Sequence, residues 1–298
     1  MRKLFFLLAA MSLVACSPKS AAETFTQSRT IEDGGSGPYT ALMVEEPGLE
    51  AHTLFRPKDL SPFGGKKLLP ILVWGNGACA NSPFEHVNFL NEIASHGFLV
   101  VATGYFPADN GRYSGPSSTS AQQIESIDWV YAVNEDKTSP YYHLLDVKNI
   151  ALAGMSCGGL QTLDNAAEPR VKTLMICNSG LFANASGAMP GMPMPAKERL
   201  NEIHTPIIYI LGGPEDIAYG NGMDDVERIN HVPLFAANYP VGHGGTYARP
   251  HGGEFAVVAT AWLKWQLQDD QEAATFFIGD PCGLQSRADW TVTKKNIP

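Results

Sequence analysis

Basic residues are scarce in this sequence, and no cluster of Lys or Arg interrupts its acidic character. Its 298 residues contain 21 Lys and Arg against 30 Asp and Glu, which gives a formal net charge of −9 at pH 7. Binding to a phosphate backbone requires clustered positive charge. We therefore expect neither a nucleic-acid partner nor an anionic substrate held by charge alone.

Metal-binding patterns and internal repeats are also missing. The five cysteines include no C-x-x-C pair, and the spacing of His243 and His251 matches no recognised pattern of metal ligands. We expect no metal site and no cofactor. Hydrophobic residues make up 44% of the chain and charged residues 17%, a composition typical of a globular protein with a sizeable core.

The chain begins with a pattern typical of an export signal. Two basic residues precede an apolar run over residues 4–14, and a small residue, Ala15, stands before Cys16. The run is too short to span a bilayer, so we predict a cleaved signal peptide over residues 1–15. The residues that end at Cys16 also resemble a bacterial lipobox, in which the cysteine is acylated and becomes the first mature residue. Ordinary cleavage with an incidental Cys16 is the alternative.

The predicted signal leads to a location and a domain plan. We expect residues 16–37, which are rich in small and polar residues, to form a flexible tether, and residues 38–298 to form a single domain. A lipid on Cys16 would anchor the exported protein to a membrane, and Ser17 resembles the outer-membrane class of lipoproteins. Without the lipid the protein would be periplasmic or secreted. The sequence leaves the oligomeric state open.

Apolar strand-like runs alternate with helical patterns along the rest of the chain. Residues 71–74 and 207–211 are apolar without alternation, which is typical of strands covered on both faces in a parallel sheet. The strands are predicted at residues 51–55, 70–74, 98–102, 149–153, 172–177, 207–211 and 233–238, and the helices at residues 84–95, 120–133, 158–167, 197–202, 224–229 and 253–268. This order predicts an α/β fold with a doubly wound, mostly parallel sheet flanked by helices.

One predicted strand leads directly into the pattern G-x-S-x-G. Gly154, Ser156 and Gly158 form this pattern after residues 149–153, and a helical pattern follows. A strand, a sharp turn and a helix are the context in which such a serine acts as a nucleophile. The turn lifts the hydroxyl out of the sheet, and the helix directs its positive end at developing negative charge. Ser156 is therefore the predicted nucleophile, because Cys157 lies beyond the apex of the turn.

A serine nucleophile needs a base and an orienting acid, which follow this elbow in the order acid, then histidine. Asp216 lies in the loop after the strand at 207–211, and His243 lies in the loop after the strand at 233–238. We predict that His243 takes the proton of Ser156 and that Asp216 orients the imidazole.

Each of these two assignments has a rival. Glu215 neighbours Asp216 and stays an alternative acid, whereas Asp224 and Asp225 are expected to begin a helix, where negative charge suits the dipole. His251 is a candidate for substrate contact or a surface position. The remaining six histidines are expected to be structural or solvated.

Two backbone N–H groups must form an oxyanion hole. One should belong to Cys157, the residue after the nucleophile, and the other to the glycine-rich loop after an early strand. We assign the second donor to Ala78, with Cys79 as the alternative. Because the two donors meet at one oxygen, Cys79 and Cys157 should lie within disulfide distance, and we predict that they are bonded. Two free thiols are the alternative, and Cys177 and Cys282 form a second possible pair.

A segment rich in proline and methionine follows one predicted strand. Residues 187–195 contain three of each, so they can form neither a helix nor a central strand. Flexible methionines suit irregular apolar surfaces, and ligands bind at this edge of such sheets. We therefore expect Met189 and Met192, together with Asn76 and Tyr105, to contact the substrate. A surface loop with shielded methionines is the alternative.

With these residues assigned, the sequence resembles the α/β-hydrolase superfamily from about residue 40 to residue 270. It is most similar to secreted hydrolases of the dienelactone-hydrolase and cutinase-like branches, and the motifs that carry the resemblance lie at residues 74–79, 156–159, 212–219, 242–247 and 282–292. The resemblance implies Ser–His–Asp catalysis on ester bonds but no particular substrate. One departure is Asn76, which stands where named lipases carry histidine.

These assignments predict an exported serine hydrolase that cleaves a small or polymeric neutral ester through an acyl-enzyme intermediate. An envelope acyltransferase with the same site, which passes the acyl group to an alcohol or sugar, is one alternative. A lipid-anchored binding protein on an inactive hydrolase scaffold is another. The intact set of Ser156, Asp216 and His243 argues against the last.

Overall fold

Ten strands form one sheet in the computed structural model, which describes residues 27–108, 115–184 and 191–298. The strands are β1 (Ser28–Arg29), β2 (Ala41–Val44), β3 (His52–Pro57), β4 (Leu69–Gly75), β5 (Leu99–Thr103), β6 (Leu145–Met155), β7 (Thr173–Cys177), β8 (Ile207–Leu211), β9 (Leu234–Asn238) and β10 (Thr291–Lys295). Their spatial order is β1-β2-β3-β5-β4-β6-β7-β8-β9-β10.

The centre of the sheet is parallel, and its two edges are antiparallel. Strands β5, β4, β6, β7, β8 and β9 run in one direction. The pairings β1–β2, β2–β3, β3–β5 and β9–β10 are antiparallel. Since the parallel strands all end at the same edge, the loops that follow β6, β7, β8 and β9 meet there. This edge is where open α/β sheets bind their ligands.

Helices cover both faces of the sheet. They are α1 (Val87–Ser95), α2 (Ser120–Glu135), α3 (Cys157–Asp164), α4 (Tyr219–Arg228), α5 (Gly253–Gln268) and α6 (Gln271–Ala274). Short 3₁₀ helices occupy Glu32–Gly34, Gly77–Cys79, Phe84–His86, Lys197–Glu202, Pro250–Gly252 and Gly283–Ser286. A capping box begins α2, where Thr119 N–H donates to Gln122 Oε1 at 2.9 Å.

The apolar core has two layers, one on each face of the sheet. Leu72 and Trp74 of β4 face a cluster that contains residues of α1, α5 and α6, whereas Ile71 and Val73 face a cluster that contains residues of α2, α3 and α4. Since side chains alternate along a strand, a strand buried on both faces must be apolar throughout. The fold confirms the predicted single-sheet, mostly parallel α/β class.

The edges of the domain differ from the prediction. Strands β1, β2 and β10 were not expected; β10 alternates exposed and half-buried residues, so it lacks the apolar run that identifies a central strand. Residues 28–37 were expected to lie in a flexible tether. Instead β1 pairs with β2, and Ser36 N–H donates to Glu92 Oε2 at 2.8 Å, so the packed domain begins about ten residues earlier than predicted.

The position of α4 also corrects a prediction. Asp224 and Asp225 were expected at the start of a helix, but α4 begins at Tyr219 and places both residues in its second half. Asp225 is fully buried, where it accepts hydrogen bonds from Leu181 N–H at 2.7 Å and from Lys197 Nζ at 2.6 Å. A buried carboxylate needs such partners.

The predicted signal peptide and Cys16 lie outside the described residues, as does Met189. Among the helices of the described ranges, none combines the length and the apolar character that a membrane crossing requires.

Candidate active site

Ser156 lies at the sharp turn between β6 and α3. Its backbone has φ 52° and ψ −115°, a conformation that non-glycine residues rarely adopt. Two hydrogen bonds hold the turn: Ser156 N–H donates to Cys177 O at 2.9 Å, and Ser179 Oγ donates to Ser156 O at 2.7 Å. Such strain at a residue fixed on both sides is typical of functional positions.

The glycines of the G-x-S-x-G pattern are required by close backbone contacts. A Cβ atom on Gly158 would lie 2.0 Å from Gly75 O at the end of β4, and a Cβ atom on Gly154 would lie 2.3 Å from the backbone of Gly158. Neither contact can be relieved by moving a flexible side chain. The pattern therefore lets α3 approach the ends of β4 and β6, which fixes the position of Ser156.

The structure brings Ser156, His243 and Asp216 into one hydrogen-bonded chain. His243 Nε2 lies 3.0 Å from Ser156 Oγ, and His243 Nδ1 lies 2.6 Å from Asp216 Oδ1. The three residues come from the loops after β6, β9 and β8, which meet at the carboxyl edge of the sheet. This is the arrangement in which a histidine removes the proton of a serine while a carboxylate orients its ring.

The two alternative residues, Glu215 and His251, do not contact Ser156 or His243 in the hydrogen-bonded chain. Glu215 is exposed, whereas Asp216 is buried and contacts His243. His251 Nδ1 lies 3.2 Å from Glu92 Oε2, on the side of the domain where α1 packs. The geometry therefore favours Asp216 and His243 over both alternatives.

Asp216 is held in its ionised form. Burial raises the pKa of this carboxyl, but hydrogen bonds from His243, from the backbone N–H groups of Ala218 and Gly212, and from Asn178 outweigh burial and lower it. A carboxylate that accepts several donors keeps its negative charge at neutral pH. That charge can then stabilise a protonated His243.

The loop after β4 lies beside Ser156 and is covalently joined to the next residue, Cys157. Gly77 and Ala78 line the same cavity as Ser156. A disulfide joins Cys79 to Cys157, whose Cα atoms lie 5.1 Å apart, as predicted. Ala78 and Cys79 have φ of 53° and 48°, so this loop takes a tight left-handed turn beside the start of α3. Cys177 and Cys282 are free and buried, so the second possible pair does not form.

The family of the chain follows from a match that includes all of these loops. A family model described as PET hydrolase-like matches residues 71–296. The chain belongs to the PET hydrolase-like family. This family has the α/β-hydrolase fold, which confirms the predicted resemblance, and it makes the chain a serine ester hydrolase. A search of the curated proteins found no match.

In this PET hydrolase-like chain, Ser156 and His243 open into a cavity of about 660 Å³. Met192 lines the cavity, and its contact with the substrate stays a prediction. Asn76 does not line the cavity. Its buried side chain donates to Ala80 O at 3.0 Å and to Thr103 O at 2.6 Å, and so joins the loop after β4 to the end of β5. Tyr105 is not among the lining residues, and its backbone N–H donates to Asn81 O at 2.7 Å.

Several lining residues were missed from the sequence. Met155 and Ile217 adjoin Ser156 and Asp216, so their proximity to predicted site residues was a usable signal. Glu85 and Phe182 carried no such signal, because only the folding of distant loops brings them to the cavity. Among the described residues that line the cavity, Glu85 alone is acidic.

Proposed function

We propose that the chain hydrolyses carboxylic esters through Ser156, His243 and Asp216. The observation that carries this proposal is the hydrogen-bonded chain from Asp216 Oδ1 through both ring nitrogens of His243 to Ser156 Oγ, at the wall of an open cavity. Packing alone does not explain a strained serine that is hydrogen-bonded to an oriented histidine, because backbone strain lowers the stability of the fold.

The proposed reaction has two halves. His243 Nε2 takes the proton of Ser156 Oγ as this oxygen attacks the ester carbonyl, and the same proton then passes to the departing alcohol. His243 next takes a proton from water as the water oxygen attacks the acyl-enzyme; the bond from the acyl carbon to Ser156 Oγ then breaks, His243 returns the proton to Oγ, and the acid leaves. In both halves the backbone N–H groups of Cys157 and Ala78 are proposed to stabilise the oxyanion.

The cavity and its surroundings support a neutral, partly apolar ester. Three exposed apolar side chains lie in or next to segments that line the cavity: Ile217 is 81% exposed, Met194 43% and Phe84 37%. Exposed apolar residues that gather around a site mark contact with an apolar partner. Because the family is named for PET, a neutral aromatic polyester, we propose that the substrate class includes polymeric esters as well as small ones.

The proposal is tested by hydrolysis of p-nitrophenyl esters from acetate to palmitate and of a PET film. Residues 17–298 are compared with the same chain carrying Ser156→Ala. Hydrolysis that disappears in the variant supports the proposal, and the preferred chain length reports the size of the acyl site. Products formed with and without an added alcohol separate hydrolysis from acyl transfer. A folded chain that cleaves none of these esters and is not labelled by a fluorophosphonate would support a binding role instead.

We further propose that the protein is exported and carries a lipid on Cys16. The signal-like residues 1–15 and the lipobox pattern support this location. Metabolic labelling with a fatty acid tests it: label should be present in the full chain and absent from Cys16→Ala. Equal labelling of both chains, or of neither, would contradict it.

A further inference from the structure

Asn178 occupies an unusual place beside the proposed triad. It follows β7 directly, is fully buried and has a left-handed backbone with φ 43°. Asparagine tolerates this conformation better than most residues, but the conformation is still uncommon. Asn178 lies between the loop that carries Asp216 and the loop that carries His243.

The amide of Asn178 contacts both loops. Its Nδ2 donates to Asp216 Oδ2 at 2.7 Å and lies 3.4 Å from Gly242 O, the carbonyl just before His243. Gly212 N–H donates to the same Asp216 oxygen at 3.0 Å. One Asp216 oxygen therefore faces His243, while the other is fixed by two donors, so the carboxylate cannot rotate without losing hydrogen bonds.

Tyr247 anchors the oxygen end of this amide. Its hydroxyl donates to Asn178 Oδ1. A carboxylate only accepts hydrogen bonds, so the amide must present Nδ2 to Asp216, and its oxygen must then find a donor elsewhere. Tyr247 supplies that donor, and burial raises the pKa of its hydroxyl well above the ordinary value, so the proton stays in place.

The ring of Tyr247 is itself held by packing. It is buried and makes edge-on contacts with His86, Phe89 and Phe255, with ring centroids 5.0, 5.2 and 5.4 Å away. Burial lowers the pKa of His86 to about 3, so this neighbour is neutral and adds no charge beside the hydroxyl. Tyr247 is thus a rigid support behind Asn178.

We infer that Tyr247 and Asn178 form a positioning relay, in which the Tyr247 hydroxyl orients the Asn178 amide and the amide fixes Asp216 against His243. This inference rests on the proposed function, because it assigns the relay to the same triad. Asn178 borders the cavity but is fully buried, and neither residue is proposed to touch the substrate. Their effect is to hold the Asp216–His243 hydrogen bond in place and to limit how strongly the carboxylate stabilises a protonated imidazole.

The variants Asn178→Ala and Tyr247→Phe test the relay. Asn178→Ala removes one donor to Asp216, and Tyr247→Phe releases the oxygen end of the amide that supplies this donor. In both variants the negative charge of Asp216 is less satisfied, so it holds a protonated His243 more strongly, and the pKa of His243 should rise by roughly half a pH unit or more. The acidic limb of the kcat/KM profile should move to higher pH by the same amount. The kcat value should fall on the order of tenfold for Tyr247→Phe and more for Asn178→Ala, with KM within about twofold.

Phe277→Leu serves as the matched control, because Phe277 is fully buried in the same apolar layer as Tyr247 but packs against Phe235, Trp262 and Trp265. It should lower the melting temperature while the pKa of His243 stays at the wild-type value. The pKa of His243 is measured by NMR titration, which needs no substrate and so separates this inference from the proposed function. A wild-type pKa of His243 in folded Tyr247→Phe and Asn178→Ala would overturn the relay, whatever their melting temperatures. If the pKa rises but wild-type ester cleavage does not depend on Ser156, the relay stands and the proposed function fails.

Discussion

Removal of the Cys79–Cys157 disulfide should weaken both the fold and the reaction. The bond closes a segment of 78 residues and joins the loop that carries Ala78 to the residue after Ser156. In the chain-entropy model, closing a loop of this length stabilises the folded state by about 4.5 kcal/mol at 25 °C. The same bond fixes the distance between the two proposed oxyanion donors, so we also expect kcat to fall about tenfold or more without it.

The assay compares Cys79→Ala/Cys157→Ala with the unchanged chain in urea unfolding and in p-nitrophenyl ester hydrolysis. Cys282→Ala is the control, because Cys282 is also buried but is unbonded and belongs to the C-terminal segment. The control should lose some stability from the small cavity and keep its kcat. Unfolding free energy within about 1 kcal/mol of the unchanged chain, together with an unchanged kcat, would refute the reasoning for the double variant.

Three further predictions concern charge, the apolar surface and pH. Glu85→Gln should raise kcat/KM for an anionic hemiester roughly two- to fivefold at low salt and leave a neutral ester of the same size unchanged, because Glu85 is the acidic residue among the described cavity lining; equal effects on both esters would contradict this. Ile217→Ser should reduce cleavage of PET film several-fold more than cleavage of p-nitrophenyl acetate, since Ile217 is 81% exposed and a small ester does not need it; parallel losses would argue against a polymer contact. Burial raises the pKa of Glu92, but hydrogen bonds from His96 and Ser36 outweigh it and bring the pKa to about 2, below its ordinary value of 4.5. The stabilisation from Glu92 is therefore present above about pH 4.5 and lost as pH falls towards 2, so Glu92→Gln should cost on the order of 2 kcal/mol at pH 7 and little near pH 2 in urea unfolding; a cost that does not depend on pH would count against it.

The central sheet and the sharp turn at Ser156 could be predicted because their signals are local. Strands such as β4 and β8 are buried on both faces and therefore apolar throughout. The turn at Ser156 needs glycine two residues before and two residues after it, because neighbouring backbone lies within 2.0–2.3 Å of where a Cβ atom would stand. The sequence pattern therefore follows directly from the local geometry. Strand β10 gave no such signal, because an edge strand that faces solvent needs no apolar run.

The surroundings of the proposed triad could not be predicted, because they depend on which loops meet. Asp216 and Glu215 are neighbours in sequence, and only the turn after β8 buries one and exposes the other. Asn178 and Tyr247 are separated by 69 residues, yet they share a hydrogen bond. Asn76 was expected beside the substrate, but its amide is used to hold backbone carbonyls in the loop after β4. A polar residue in the right loop therefore predicts proximity but not the direction of its side chain.

The most direct test of the account is the rate of ester hydrolysis by residues 17–298 with Ser156 and with alanine in its place. The account predicts that kcat/KM on the preferred p-nitrophenyl ester falls by about 10⁵-fold or more in the folded Ser156→Ala variant, to near the rate in buffer. Ester cleavage that persists at a substantial fraction of the original rate in that variant would contradict the central claim, since another group would then be the nucleophile.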